Sequence, residues 1–219
     1  MDFKRFAGFA GVLAVVLWVV GQLLFGSLPT AGDSIEKVGR YLAEDNTMHK
    51  WALLLGFLAA IPFVFFLAGF LAPIFKSDRE HGEAYGVVVF GGALLVGASA
   101  GLGDAASAAL HLRAGDGLGA ESVRGLWDLQ AAGYGLAGIG FTILGAGAAM
   151  VIMRRKVMPD WVGWLAALVA VGGFFGLFGA LSASGLANFA FVPFVTFLVF
   201  LLATGIHMIM STQKSSAAA

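Results

Sequence analysis

The sequence predicts an all-α fold: a polytopic membrane protein built as a six-transmembrane-helix bundle, with N-terminus and C-terminus both cytoplasmic. Three observations carry that expectation. Of 219 residues, 59% are hydrophobic and only 12% are charged, whereas soluble chains run about 45–50% apolar and about 25% charged. Six stretches are long and apolar enough to cross the hydrocarbon, which takes about 20 residues for about 30 Å. They are rich in glycine, too long for strands and without the period-two alternation of a transmembrane barrel. Satisfying the backbone in lipid then leaves helices.

The spans read as 6–25, 51–75, 84–103, 131–153, 161–186 and 189–210, none with Lys or Arg in its interior. They form one domain over 1–211, followed by a short polar tail, 212–219. Cysteine is absent and the formal net charge is zero. That excludes a disulfide-stapled domain, a zinc ribbon and a thiol enzyme, and it offers no basic surface for nucleic acid.

Orientation follows from Lys and Arg, which concentrate on the cytoplasmic side. With the N-terminus inside, eight fall inside (Lys4, Arg5, Lys76, Arg79, Arg154, Arg155, Lys156 and Lys214) and five outside (Lys37, Arg40, Lys50, Arg113 and Arg124). Lys4 and Arg5 resemble the n-region of a signal peptide. The apolar run behind them is longer than the usual 7–15-residue h-region, so the first span reads as retained. Position 2 is Asp and there is no Cys, so no lipidation motif is present.

The loop after span one holds a short amphipathic helix over about 34–44. Asp33 with Glu36 reads as a capping-box variant, and Ile35, Val38, Tyr41 and Leu42 share one face. The Ala-rich run 105–113 has no breaker, so the third helix extends outward to about Arg113. Gly115-Asp116-Gly117 makes a turn, and 121–130 resumes helix, giving an outer helical hairpin over 104–130. Arg124 is spaced to pair with Glu121 or Asp128. Gly97 and Gly101 form a G-x-x-x-G, and Gly172, Gly176, Ala180 and Ser184 continue a four-residue repeat. Both read as helix contacts, because small residues let backbones approach in lipid. Pro62, Pro73 and Pro193 are positions where a helix kinks or ends.

Polar residues at membrane depth carry the most functional information. Gln22, Asp104, His111, Asp128, Gln130, Tyr134 and Asn188 all fall in the outer third, over an apolar floor. Asp104, Ser107 and His111 share a face of the third helix, and Trp127, Gln130 and Tyr134 share a face of the fourth. The midplane and inner half contain no Asp, Glu, Lys or Arg, only Thr142, Thr196 and Thr204. A charged translocation path is therefore not expected, and polar burial is expected in the outer half above a dry inner seal. One His between two carboxylates suits a general base. A packing role for Asp104 and Asp128 nonetheless outweighs a ligand pocket, and a ligand pocket outweighs catalysis. No metal or cofactor motif occurs: His49 and His111 belong to no ligand spacing, and there is no Walker loop, dinucleotide fingerprint or nucleophile elbow.

Arg5-Phe6-Ala7-Gly8 running into an apolar span, and Arg154-Arg155 followed by Met158-Pro159-Asp160-Trp161-Val162-Gly163 and another, resemble an uncharacterised family of bacterial six-helix integral membrane proteins, a domain of unknown function. That resemblance implies a bacterial plasma-membrane protein with no assigned reaction. The expected function is binding of a small amphipathic or lipid-like molecule in an outward-facing polar pocket, or service as a transport accessory. Two alternatives stand beside it: an outer-leaflet enzyme using His111 with Asp104 or Asp128, and a structural or regulatory subunit of a membrane complex. The partners expected are the lipid bilayer, a lipid or small amphipathic ligand, and a second copy or another membrane protein.

Overall fold

The computed structural model describes residues 2–29, 32–44, 46–113, 118–180 and 191–216. Seven helices follow in order: α1 (Phe3–Phe25), α2 (Ile35–Ala43), α3 (Asn46–His81), α4 (Tyr85–Arg113), α5 (Ala120–Arg155), α6 (Asp160–Ala180) and α7 (Val192–Ser216). All but α2 are long and apolar enough to span a membrane. The protein is a multi-pass membrane helix bundle. At 23 residues α1 rises about 34 Å, a single crossing, and the 36-residue α3 and α5 rise about 54 Å and stand beyond it.

The six long helices close a ring. α1 lies between α3 and α7, α7 leads to α6, α6 to α5, α5 to α4, and α4 returns to α3 by the thinnest seam. Of the α5 span, 61% is buried, while no other span exceeds 39%. One end of the bundle carries α2; the other, the basic end, carries the start of α1, the α3–α4 turn and the α5–α6 turn.

Lipid tails are as apolar as leucine, so close packing rather than water exclusion selects the contacts between spans. Aromatic rings fill the middle. Phe66 stacks on Phe70 at 5.9 Å, Phe70 meets Phe200 edge-on at 5.5 Å, and Phe141 lies 5.0 Å from Phe197. Trp18, well inside α1, joins them 5.5 Å from Phe63. Leu23, Ile61, Val64, Val87 and Trp164 face outward, as a lipid-exposed surface requires.

Glycine sets the close seams. A Cβ on Gly92 would stand 2.4 Å from the Leu144 backbone nitrogen, and one on Gly140 2.5 Å from that of Val96, so α4 and α5 touch backbone to backbone. Gly145 meets Ala166 and Ala170 of α6 in the same way, and Gly8 meets the carbonyl of Gly205 on α7. The first half of the α6 repeat behaves as expected, with Gly172 and Gly176 against Thr196 and Pro193; the Ala180 side chain and Ser184 lie outside the described residues. The G-x-x-x-G of α4 does not: Gly97 and Gly101 face open space. Positions 92, 96 and 103 of α4 hold the α5 side, and 97 and 101 fall on the opposite face.

Two further local expectations change. The cap of α2 is Ser34, whose hydroxyl accepts from the Lys37 amide at 3.4 Å, while Asp33 ion-pairs with Lys37 at 2.9 Å. Arg124 reaches the backbone carbonyl of Asp33 at 3.4 Å, tying α5 to the start of α2, and Asp128 lies exposed on α5. α3 continues through both Pro62 and Pro73. The expected extension of the third helix to Arg113 is present, and the helix after it starts at Ala120; the 115–117 turn lies outside the described residues.

The basic end is laced by polar contacts. Arg155 makes a two-point contact with Glu83, its Nε donating at 2.9 Å and its Nη2 to the second carboxylate oxygen. Arg154 donates to the Tyr85 hydroxyl at 2.5 Å. Asp78, buried, accepts from the Gly86 amide at 2.5 Å and so caps α4 from the end of α3. Lys156, left-handed at φ 53°, ends α5 and pairs with Asp160 at 2.6 and 2.7 Å.

Candidate functional site

At the α2 end, the two polar stripes expected from the sequence meet across the α4–α5 seam. Tyr134 donates its hydroxyl to Asp104 Oδ1 at 2.7 Å. Ser107, His111, Trp127 and Gln130 are all buried. Two turns beyond Asp104 the surroundings change from polar to aromatic. His111, 1% exposed, lies 4.9 Å from His49 of α3, ring to ring, with Phe25 and Tyr41 at 6.2 and 6.1 Å. Tyr41 stacks on His49 at 4.4 Å and donates to the Phe25 carbonyl at 3.2 Å. Val38 and Leu42 bury themselves against Leu110 and Trp127. The amphipathic α2 is thus a strap sealing the ends of α1, α3, α4 and α5.

Of the seven residues expected to form a pocket, Asp104, Gln130 and Tyr134 share one seam. His111 belongs to the aromatic cluster beside it, Gln22 is half-buried on α1, and Asp128 is exposed. Asn188 lies outside the described residues. His111 is not oriented by a carboxylate. Asp104 and His111 are seven residues apart on one helix, about 10 Å along the axis. The ionisable rings beside the imidazole are His49 and Tyr41, and its Nδ1 has no hydrogen-bond partner among the described residues. A base needs its orienting group within about 2.6–3.2 Å. Among the described residues no group of three metal-ligating side chains forms.

A cavity of about 710 Å³ opens at the basic end, between the start of α1, the middle of α3, the α5–α6 turn and α7. Such a volume lies within the range of about 300–1,000 Å³ typical of small-molecule sites. Gly69, Met158 and Met208 are its buried apolar lining. Asp2, Lys4, Lys156 and Asp160 are the exposed charges around it, and His207 is half-buried between the two layers. Trp161 meets the His207 ring edge-on at 5.8 Å. Polar burial is therefore not confined to the α2 end: Ser77, Asp78 and Thr204 are buried towards the basic end, and the expected dry seal there gives way to a lined cavity.

No family model, curated protein or solved structure matches the chain. The site is read on its own chemistry. Glycine at 69 keeps the lining open towards α1, since a Cβ there would stand 2.4 Å from that of Ala7 and 3.0 Å from the Met208 methyl. Two thioethers at the base offer flexible, polarisable surface that adapts to an alkyl chain. The cavity thus has an apolar floor below a set of charged side chains. Sequence reasoning passed over Lys4, Met158, His207 and Met208, which come from three separate stretches with no shared motif. The one signal is the Arg154-Arg155-Lys156 run, which the sequence offers only for orientation and whose Lys156 lines the cavity.

Proposed function

We propose that the protein binds a small amphipathic or lipid-like molecule, as a binding protein or transport accessory of the bacterial plasma membrane, and that the molecule sits in the cavity at the basic end. The supporting observation is that cavity: about 710 Å³, apolar below and charged above. With both termini cytoplasmic, as the distribution of Lys and Arg favours, the cavity faces the inner leaflet. In this reading the outer group around Asp104, His111, Gln130 and Tyr134 is a cap, held by α2, rather than a pocket.

The test is native mass spectrometry of the protein released from its own membrane in mild detergent. One retained amphiphile per chain is expected. Ala72→Trp, which fills the cavity from an exposed lining position, should release it while leaving the helical content unchanged. A bare wild-type protein, or an adduct indifferent to Ala72→Trp, overturns the assignment.

A further inference from the structure

Resting on the binding reading above, we infer that the occupant of the basic-end cavity is a zwitterionic amphiphile, with a headgroup joining a phosphate to a primary ammonium in the manner of phosphoethanolamine.

The charges around the cavity decide the headgroup. They are two carboxylates, Asp2 and Asp160, two ammonium groups, Lys4 and Lys156, and the imidazole of His207. Lys156 and Asp160 already neutralise one another through two contacts of 2.6 and 2.7 Å. They form a closed wall at the α5–α6 turn. The groups left for a ligand lie on the α1 and α7 side. Asp2 spends one oxygen on the Lys4 backbone amide at 3.4 Å, capping α1, and keeps the other. The Lys4 side chain makes no ion pair among the described residues, and Lys4 and His207 both line the cavity. Lys4 suits a phosphate, since charge-assisted hydrogen bonds to phosphate are the strong ones, and the His207 ring beside it offers a further N–H. Asp2 suits an ammonium.

A purely anionic headgroup would satisfy Lys4 but approach Asp2, and a purely cationic one would do the reverse. A headgroup carrying both charges meets both. Discrimination of this kind comes as much from the repelled partner as from the attracted one. A quaternary ammonium has no N–H to give Asp2, and the described lining contributes no cage of aromatic faces, the usual receptor for such a group. The chain of the amphiphile descends onto Met158 and Met208, and its remainder lies in the bilayer beside the exposed face of α1, where Phe3 and Phe6 point outward.

The experiment measures binding to the full chain in detergent by native mass spectrometry, with Trp fluorescence as a second reading because Trp161 touches His207. The probes are short-chain phosphatidylethanolamine, phosphatidylglycerol and phosphatidylcholine with identical tails, and free O-phosphoethanolamine. Phosphatidylethanolamine is expected to bind about tenfold more tightly than either other lipid, the scale of one charge-assisted contact, and free O-phosphoethanolamine much more weakly. Asp2→Asn keeps the cap, because Asn caps as well as Asp, and should erase the preference over phosphatidylglycerol. Lys4→Gln should weaken all three lipids. Equal binding of the three lipids, or a preference for phosphatidylglycerol, overturns the headgroup assignment and leaves the amphiphile reading standing. Tight binding of free O-phosphoethanolamine overturns the requirement for a chain. Failure of every lipid to bind saturably removes the amphiphile reading itself.

Discussion

Tyr134 and Asp104 bridge a close-packed part of the α4–α5 seam: their 2.7 Å hydrogen bond lies beside the point where a Cβ on Gly133 would stand 2.7 Å from the Gly103 backbone nitrogen. The glycines bring α4 and α5 to backbone contact, and the contact places the phenol on the carboxyl group. Tyr134→Phe should therefore destabilise the protein in detergent by about 0.5–1.5 kcal/mol, the net worth of one hydrogen bond. Asp104→Asn should cost less, because the amide oxygen still accepts, and should leave membrane insertion intact. Thermal unfolding checks both, and a double-mutant cycle of Tyr134→Phe with Asp104→Ala isolates the bond; additive effects in that cycle would mean that the bond contributes nothing.

The glycines of α4 divide sharply by face. Gly92→Ala and Gly140→Ala must push a methyl into the opposing backbone and are expected to lower stability by about 1–3 kcal/mol, as overpacking does. Gly97→Ala meets open space and should be neutral or slightly stabilising, since alanine is the better helix former. Unfolding midpoints of the three variants decide the matter. Gly97→Ala as damaging as Gly92→Ala would place the seam on the other face.

The Arg155 contact gives stability an acid limit. Its guanidinium, hydrogen-bonded to Glu83, holds that carboxyl below the usual glutamate value of 4.5, with burial opposing. A carboxyl whose pKa is lower in the folded state contributes in full above the unfolded value and loses its contribution as pH falls through the lowered one. Stability of the wild-type protein should thus fall as pH drops below about 4.5, and Glu83→Gln should flatten that part of the profile while being less stable at neutral pH. Thermal unfolding across pH 3–7 measures it. A slope unchanged in Glu83→Gln would assign the acid limit elsewhere.

Tyr41 fastens the strap. Burial raises its hydroxyl above the ordinary tyrosine pKa of 10.0, so it stays a neutral donor to the Phe25 carbonyl throughout the accessible pH range. Tyr41→Phe keeps the ring on His49 and should cost about 0.5–1.5 kcal/mol. Tyr41→Ala removes the stacking as well and should cost more, by about the 0.5–1.5 kcal/mol an aromatic pair adds. Proteolysis in the 26–34 connection, rising from wild type through Phe to Ala, is the expected readout. Equal cleavage in all three would mean that α2 is held by Val38 and Leu42 alone.

How far the sequence revealed this arrangement depends on whether the signal is local. Span length and the absence of breakers are local, so the six crossings, the extension of α4 to Arg113 and the amphipathic α2 could all be read directly. The facing of a glycine is not local. Gly97 and Gly101 have the textual form of a contact, yet Gly92, spaced five residues from Gly97, is the one that touches. The pairing of Asp104 with Tyr134 was legible only as two stripes on helices expected to be neighbours. His49 and His111 could have been brought together on the same grounds, since each lies at the outer end of a span. The basic-end cavity needed four chain segments to converge, and no spacing rule reports that. Its charges also lie outside the spans, where attention to polar residues at membrane depth does not reach.

The ring has a consequence for biogenesis. α1 leaves the translocon first and finds α3 soon after, but its other flank, where Gly8 receives the Gly205 carbonyl, has no partner until α7 has been synthesised. α5, the most enclosed helix, likewise waits for α6. For most of translation the α1 flank and the future cavity are therefore open to surrounding lipid, and the ring shuts only when the sixth crossing arrives. An amphiphile admitted through that gap during assembly would be in place before the last helix closes beside it.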